Sequence, residues 1–491
     1  MTDPVGELRG NTVGLVCAIC ETCRAQQNTI ASSDPDPNAS STRGAPDSSS
    51  ELFMDTYLLQ CKLLPIATRL AEDKSPNVRL AVASQTDRLM SALGAHWLMV
   101  LVDLFQALLG DSDDKVRSEA VYCIPRLIST ILEGEGEKTS SQELQTEVIG
   151  SLLLTMSKML NDTSVPVRVA LATSSGQLLV LISHNDAAVT NEDRGSFSLS
   201  SPEASPTRSN GGSAAVSPHL HFVDEAILPL VQRLLHDTDP SVCSNALRAV
   251  ANASQSLNKA GGDGNDADVD FVPVLKEKQV LRLLPTLTHL SANEKWRVRR
   301  SAVEVVPALV KSSSGMKARA EIGKLVVNLL SDPVAEVRKS AAYALATSSS
   351  AGSSKKKAGD EWLDAVVMPH LQSCIVSPNF RQRLVALDMV RTLILNQWDG
   401  GRGAAKGRGP KVLSFMEMAL SMREDALPNI RLNACRVFCD TPSREIFDAL
   451  SKDEGTDRIR KEVVAAMKIL KAEDKDRDVL YYSTKALERL Q

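Results

Sequence analysis

One short phrase recurs along the whole chain, and it constrains the fold more than any other feature of the sequence. The phrase consists of an acidic or polar residue, an aliphatic residue five positions later, usually an arginine next, and a small residue three positions further on. Arginine stands six positions after the start of the phrase in eight of the ten copies. The copies begin at Asp3, Asp73, Asp111, Asp162, Asp237, Asn293, Asp332, Ser377, Asp425 and Asp474. A register kept this strictly indicates a repeat architecture, in which each unit packs on its neighbours.

The positions within each phrase predict a helix, a turn and a second helix. An apolar stretch such as residues 98–109 precedes the phrase. The acidic residue is expected to end that helix and to accept backbone N–H groups at the start of the next one. Proline fits the first turn of a second helix, where its missing N–H costs nothing, and it occurs there as Pro76, Pro166, Pro240 and Pro333. We predict that each arginine reaches the acidic residue of a neighbouring repeat, which gives a structural ladder of ion pairs.

The spacing of the phrases identifies the type of repeat. Val78 and Val116 occupy equivalent positions, as do Val298 and Val337, and both intervals are close to the roughly 40 residues of a HEAT repeat. The predicted fold is therefore all-α, an α-α superhelix of the HEAT-repeat solenoid class. The predicted division is a partial HEAT repeat or N-terminal cap at 1–27, a disordered linker at 28–51, HEAT repeats at 52–184, a disordered Ser/Pro-rich insertion at 185–220, and HEAT repeats with short loop insertions at 221–491.

Composition narrows the classes of function. The formal net charge of −4 lacks the basic surplus of a nucleic-acid-binding protein, so we expect no nucleic-acid partner. No apolar run approaches the roughly 18 residues of a membrane span, and the N-terminus lacks the layout of a signal peptide. We therefore expect no membrane partner, and a location in the cytoplasm, with the nucleus as a second compartment.

The residues that would carry catalysis or bind a metal are scattered. Cys17, Cys20 and Cys23 are closely spaced, but no fourth ligand follows nearby, so three buried thiols on one helix face are the favoured interpretation. The seven histidines form no cluster, and the glycine-rich segment 400–409 follows no predicted strand and so is not expected to bind a phosphate. We predict that the chain is not an enzyme and holds no metal or cofactor.

Several segments of the C-terminal half carry more than the generic repeat. Residues 283–309 (LLPTLTHLSANEKWRVRRSAVEVVPAL) resemble one repeat of the scaffolding A subunit of protein phosphatase 2A. The resemblance continues in order through residues 331–342, Glu361-Trp362, residues 377–380 (SPNF), residues 429–433 (NIRLN) and residues 476–490. The related regulatory subunit 1 of protein phosphatase 4 shares this architecture and is an alternative.

The resemblance implies a division of labour between the two halves. In that family the C-terminal repeats bind the phosphatase catalytic subunit through their intra-repeat turns, and the N-terminal repeats bind a variable regulatory subunit. Carried over to this sequence, the residues expected to face the catalytic subunit are Trp296, Arg297, Pro333, Phe380, Pro428 and Arg477. The family has more repeats than this chain shows, so an incomplete platform for the regulatory subunit is expected.

Two further expectations and two rival functions remain. Ser201, Ser205 and Ser217 each precede proline, which makes them candidate phosphorylation sites that would add negative charge to the insertion. The leading function is a non-catalytic scaffold for a Ser/Thr protein phosphatase. A general HEAT-repeat adaptor or transport-type factor is the alternative, and a HEAT-fold enzyme would need clustered histidines or carboxylates that the sequence does not show.

Overall fold

The computed structural model consists of helical hairpins joined in series, as the sequence predicts. It describes residues 6, 9–19, 21–22, 64–93, 98–133, 140–195, 220–255, 275–313, 315–349, 360–398, 408–451 and 454–490, and throughout these ranges the regular elements are helical. The chain forms two units, Met1–Ala249 and Val250–Gln491. The division therefore falls within a helix, and not in the Ser/Pro-rich segment where the sequence-based division placed its longest interruption.

The first unit is built from hairpins whose second helices pack side by side. Its helices are α1 (residues 9–19), α2 (Leu64–Ala71), α3 (Pro76–Leu93), α4 (Leu98–Leu109), α5 (Asp114–Glu133), α6 (Ser140–Lys158), α7 (Val165–Gly195), α8 (Leu228–Leu235) and the first part of α9 (Pro240–Gln255). α5 packs against α3 on one side and α7 on the other. The aliphatic residue of each phrase lies at these contacts, since Val78, Val116 and Val167 are fully buried.

The second unit repeats the same plan. Its helices are α10 (Glu277–Ser291), α11 (Trp296–Glu304), α12 (Val306–Ser312), α13 (Met316–Leu329), α14 (Ala335–Thr347), α15 (Met368–Ile375), α16 (Phe380–Gln397), α17 (Arg408–Ser421), α18 (Pro428–Asp440), α19 (Ser443–Ala449), α20 (Glu454–Glu473) and α21 (Arg477–Leu490). The second helices again form a continuous layer, in which α14 lies between α11 and α16, and α18 contacts both α16 and α21. This layer of second helices forms the surface described below.

In the described turns, the aspartate that begins the phrase accepts a backbone hydrogen bond from within the turn and not from the following helix. Asp111 Oδ1 accepts from the N–H of Asp113 at 2.8 Å, and Asp332 Oδ1 accepts from the N–H of Val334 at 2.8 Å. The acceptor is therefore two residues before its donor, which is an Asx turn and not the helix N-cap that the sequence suggested. The turn is fixed by this bond, so the direction of the second helix is fixed as well.

Helix α7 departs from the sequence-based expectations in two ways. It continues to Gly195, so residues 185–195, which the sequence-based division assigned to a disordered insertion, are helical. Residues 187–189 are two alanines and a valine, which a helix accommodates. A boundary drawn from serine and proline content alone does not take them into account. In addition, Val165–Ser183 is apolar and long enough to cross a membrane by length and composition alone. Because 56% of that stretch is buried within the structure, it serves here as the packed second helix of a hairpin.

One glycine permits a close approach between two helices of the first unit. A Cβ atom added to Gly176 in α7 would lie 2.4 Å from the Cβ of Ala249 in α9, which is far inside van der Waals contact. Only glycine leaves space for this approach. The two small residues therefore set the distance between α7 and the part of α9 that belongs to this unit.

Candidate functional site

The predicted ladder of ion pairs is present, and its geometry is the same at the seven steps where an arginine faces an aspartate. In the first unit the Nε and Nη2 atoms of one arginine donate to both carboxylate oxygens of the next phrase, at 2.6 to 3.1 Å. The pairs are Arg9–Asp73, Arg79–Asp111, Arg117–Asp162 and Arg168–Asp237. In the second unit the same bidentate pairs are Arg299–Asp332, Arg383–Asp425 and Arg431–Asp474. The prediction of a structural ladder is confirmed.

Each arginine whose own turn lies among the described residues also has a second role, which the sequence did not reveal. Its Nη1 atom turns back to the carbonyl oxygen of the acidic residue in its own phrase, as Arg431 does to Asp425 at 2.7 Å and Arg117 does to Asp111 at 2.8 Å. One guanidinium therefore stabilises its own turn and joins it to the next repeat. Fork-shaped pairing of this kind uses the planar geometry that lysine lacks.

The ionised state of the ladder carboxylates follows from these contacts. Burial alone would raise the pKa of Asp332, but the hydrogen bonds from Arg299 and from the Val334 N–H outweigh it, and the pKa lies below its ordinary value. The hydrogen bonds from Arg431 likewise lower the pKa of Asp474. The ladder is therefore charged at neutral pH and acts as a structural element.

Between the described phrases the ladder is interrupted at two steps. Cys243 stands in place of arginine, and its thiol donates to the Asp237 carbonyl at 3.1 Å, so it keeps only the turn contact. Arg338 keeps its Nη1 bonds to the carbonyls of Asp332 and Pro333, at 2.7 and 3.0 Å. The next phrase begins with Ser377 instead of aspartate. Within the described part of the chain, no carboxylate therefore pairs with the Arg338 fork.

A groove of about 790 Å³ runs across the second helices of the second unit. It crosses α11, α14, α16 and α18, and residues eleven positions after the start of four successive phrases line it: Glu304, Tyr343, Asp388 and Arg436. We call this surface the basic groove because six basic side chains line it against two acidic ones. The basic residues are Arg300, Arg338, Lys339, Arg381, Arg391 and Arg436.

Most of the charges in the basic groove are paired locally. Arg300 Nε contacts Glu304 at 2.8 Å, and Arg391 contacts Asp440 at 3.1 Å. Arg338 and Arg381 differ, because no carboxylate among the described residues lies within ion-pair distance of either side chain. Burial raises the pKa of Asp388, which weakens its ability to neutralise the surface as the pH falls. The groove thus presents net positive charge, although the chain as a whole carries −4.

The six residues predicted to contact a catalytic subunit all lie at or beside intra-repeat turns of the second unit. Trp296, Phe380, Pro428 and Arg477 are the first residues of α11, α16, α18 and α21, and Pro333 lies in the turn before α14. Together with Arg297, these five residues are called the turn residues. Phe380 is 42% exposed and the Arg297 guanidinium lies 4.9 Å from the centre of the half-buried Trp296 ring. Four of the six, Trp296, Phe380, Pro428 and Arg477, therefore occupy equivalent positions, three residues after the start of their phrases.

The other candidate residues add no second site. Among the described residues no group of three metal-binding side chains occurs. Cys17 is buried, and burial raises the pKa of its thiol to about 11, which keeps it protonated. Cys20, Cys23, Ser201, Ser205 and Ser217 lie outside the described residues.

Comparison with known proteins supports the repeat type and nothing narrower. Residues 322–350, which span most of α13 and α14, match the family model described as HEAT repeat. No curated protein matches the chain. Three crystal structures, each titled an engineered protein from a structural genomics consortium, are similar at low levels. One is 14% identical, covers 100% of this chain and 96% of its own, and has a TM-score of 0.35. The others are each 15% identical over 54% of this chain, covering 96% and 98% of their own, with TM-scores of 0.26 and 0.28.

The matched repeat and the helical hairpins define the class of protein. The chain has the all-α HEAT-repeat solenoid fold that the sequence predicted. Such arrays expose extended surfaces on successive repeats, and they serve as scaffolds or adaptors that bind other proteins. They are typically non-catalytic.

Proposed function

We propose that this chain is a non-catalytic scaffold whose second unit binds the catalytic subunit of a Ser/Thr protein phosphatase. The observation that carries the proposal is the row of turn residues on successive repeats. Exposed aromatic and arginine side chains on fixed turns are the residue types enriched among those that dominate binding energy. The sequence resemblance described above supports the choice of phosphatase. A variable regulatory subunit and a cytoplasmic and nuclear location belong to the same proposal.

The turns are suited to this role because the ladder holds them rigidly. At the turn before α16, Asn379 Oδ1 accepts from the N–H of Arg381 at 3.0 Å, and the Arg383 fork joins the repeat to Asp425. Phe380 lies between these two bonds in the sequence. A rigid turn loses little conformational entropy when its side chains are buried by a partner.

Affinity purification from the native cell tests the proposal. The tagged full chain is compared with Trp296→Ala/Arg297→Ala, and co-purifying proteins are identified by mass spectrometry. We expect the wild-type chain to recover a phosphatase catalytic subunit and the double variant to lose it. Arg282→Ala, on the first helix α10 away from the turns, is the control and should retain the subunit. Absence of any phosphatase from the wild-type eluate would contradict the proposal.

A general HEAT-repeat adaptor remains the second candidate. The observation that favours it is the basic groove, which offers a surface that the turn residues do not include. In the same purification, recovery of a protein other than a phosphatase by both the wild-type chain and the turn variant would support the adaptor.

A further inference from the structure

The basic groove contains a ladder arginine whose carboxylate partner is missing. At three other steps of the second unit, the arginine fork donates to the next aspartate from both Nε and Nη2. At Arg338 the chain supplies Ser377 instead, and the Ser377 hydroxyl is hydrogen bonded to the Gln382 side chain. Gln382 in turn donates to Ser331 Oγ at 3.3 Å, so the contact between these repeats is kept by neutral groups.

The loss of the carboxylate leaves the Arg338 fork fixed and available. Its Nη1 atom is held by two carbonyl oxygens, so the guanidinium is oriented as in the paired steps. Within the described residues, its Nε and Nη2 atoms have no acceptor. A positioned fork of this kind matches the two oxygens of a carboxylate.

The surroundings of Arg338 extend the preference for negative charge. Arg381 lines the same groove with no carboxylate partner among the described residues, whereas Lys339, beside Arg338 and 61% exposed, pairs with Glu336 at 3.5 Å. Tyr343, also 61% exposed, adds an aromatic surface. The groove's volume of about 790 Å³ lies within the roughly 300–1,000 Å³ of ligand-binding clefts.

We propose that the basic groove binds an acidic, Asp/Glu-rich segment of a partner protein, and that one carboxylate of this segment pairs with Arg338. Charge complementarity selects this occupant, because the groove is positive on a chain that is negative as a whole. The incoming carboxylate takes the part that aspartate plays at the other ladder steps. The proposal is independent of the phosphatase assignment, since the turn residues do not line the groove.

Fluorescence anisotropy with the full chain tests this proposal. The probe is a fluorescein-labelled peptide rich in glutamate, and a peptide with glutamine at the same positions is its matched control. We expect the glutamate peptide to bind, its affinity to fall as salt is raised, and the glutamine peptide to bind at least about tenfold more weakly. Equal binding of the two peptides, or no binding of the glutamate peptide, would overturn the proposal.

Three single variants locate the binding site. Arg338→Gln is expected to weaken the glutamate peptide about tenfold, because it removes a charge-assisted bidentate contact. Arg381→Gln, at an exposed position, should weaken binding with no effect on the melting temperature. Arg297→Gln makes the same chemical change on a turn outside the groove, so it should leave affinity unchanged.

The remaining outcomes are also decisive. If Arg297→Gln weakens the peptide as much as Arg338→Gln does, the attraction is general and the site is wrong. If a single-stranded RNA oligomer of equal charge binds more tightly than the peptide, the groove is a nucleic-acid surface and the proposal fails. Arg338→Lys keeps the charge and loses the fork, so affinity between those of wild type and Arg338→Gln supports bidentate pairing.

Discussion

Replacing Arg299 with alanine should destabilise the second unit by about 3 kcal/mol, because it leaves a buried carboxylate without its partner. Arg299 Nε and Nη2 lie 2.7 and 2.9 Å from the Asp332 oxygens, and the Asp332 side chain is 3% exposed. This value is at the lower end of the range for removing one partner of a buried ion pair, because Asp332 still accepts a hydrogen bond from the N–H of Val334 at 2.8 Å. The Asn293 carbonyl loses its bond as well.

Arg338→Ala is the matched control, since Arg338 has the equivalent position in the next repeat. It loses two bonds to carbonyl oxygens and no ion pair, so it should cost about 1 kcal/mol. The predicted difference of about 2 kcal/mol isolates the carboxylate contact from the turn contact. Arg299→Ala/Asp332→Ala should cost less than Arg299→Ala alone, because no buried charge is then left unpaired.

Hydrogen exchange of the amides in α11 and α14, followed in low urea, is the suitable assay. Repeat arrays open locally, so the free energy of opening around the altered pair is better defined than one global value. If the two single variants lower this free energy equally, the ion pair contributes nothing beyond the turn bonds. If the double variant is no more stable than Arg299→Ala, the penalty does not come from an unpaired carboxylate. Either result refutes the reasoning.

Three further predictions concern packing, acid stability and thiol reactivity. Gly176→Ala should destabilise the first unit by about 1–2 kcal/mol through overpacking, as measured by urea unfolding. Gly14→Ala is the control: no atom lies within 4 Å of the added Cβ, so it should stabilise its helix by up to about 1 kcal/mol. Effects of the same sign in the two variants would contradict the packing argument. The lowered pKa of Asp474 means that its pair with Arg431 contributes stability above about pH 4 and loses it as the pH falls through the folded-state pKa. Asp474→Asn should therefore flatten the acid side of the melting-temperature profile, and an unaltered profile would count against the pair. Burial raises the pKa of the Cys435 thiol to about 12. Alkylation at about pH 8, followed by peptide mapping, should therefore leave Cys435 unmodified until urea unfolds the second unit. Rapid modification of Cys435 in the folded chain would contradict its burial.

The ladder could be predicted from the sequence because both partners recur at a fixed spacing. Asp111 and Arg117 stand at the same positions in their phrase as Asp162 and Arg168 in the next, and a stack of equal hairpins brings such residues together. The Nη1 bond to the carbonyl was not predictable, since it depends on how the turn folds back. The Asx turn was missed for the same reason.

The basic groove escaped the sequence analysis because its residues are far apart in the chain. Arg300, Lys339 and Arg381 each look like solvated positions on an amphipathic helix, and only the stacking of α11, α14 and α16 joins them. One signal was available. The residue eleven positions after the start of the phrase lies on the surface of the groove in four successive repeats, so aligning the phrases would have shown which residues of different repeats share one surface.

The exceptions in the phrase carry as much information as the pattern. Ser377 in place of aspartate appears in the sequence as a conservative polar change. In the structure it leaves the Arg338 fork without a carboxylate at the one step where the ladder arginine also lines the groove.

The central claim is that the turn residues of the second unit bind a phosphatase catalytic subunit, and calorimetric titration of the purified full chain with that purified subunit tests it most directly. We predict saturable binding that Trp296→Ala/Arg297→Ala weakens by at least about tenfold and that Arg338→Gln leaves unchanged. Melting temperatures measured in parallel ensure that the variants are folded. Absence of binding by the wild-type chain, or equal affinity of the wild-type chain and the turn variant, would contradict the account.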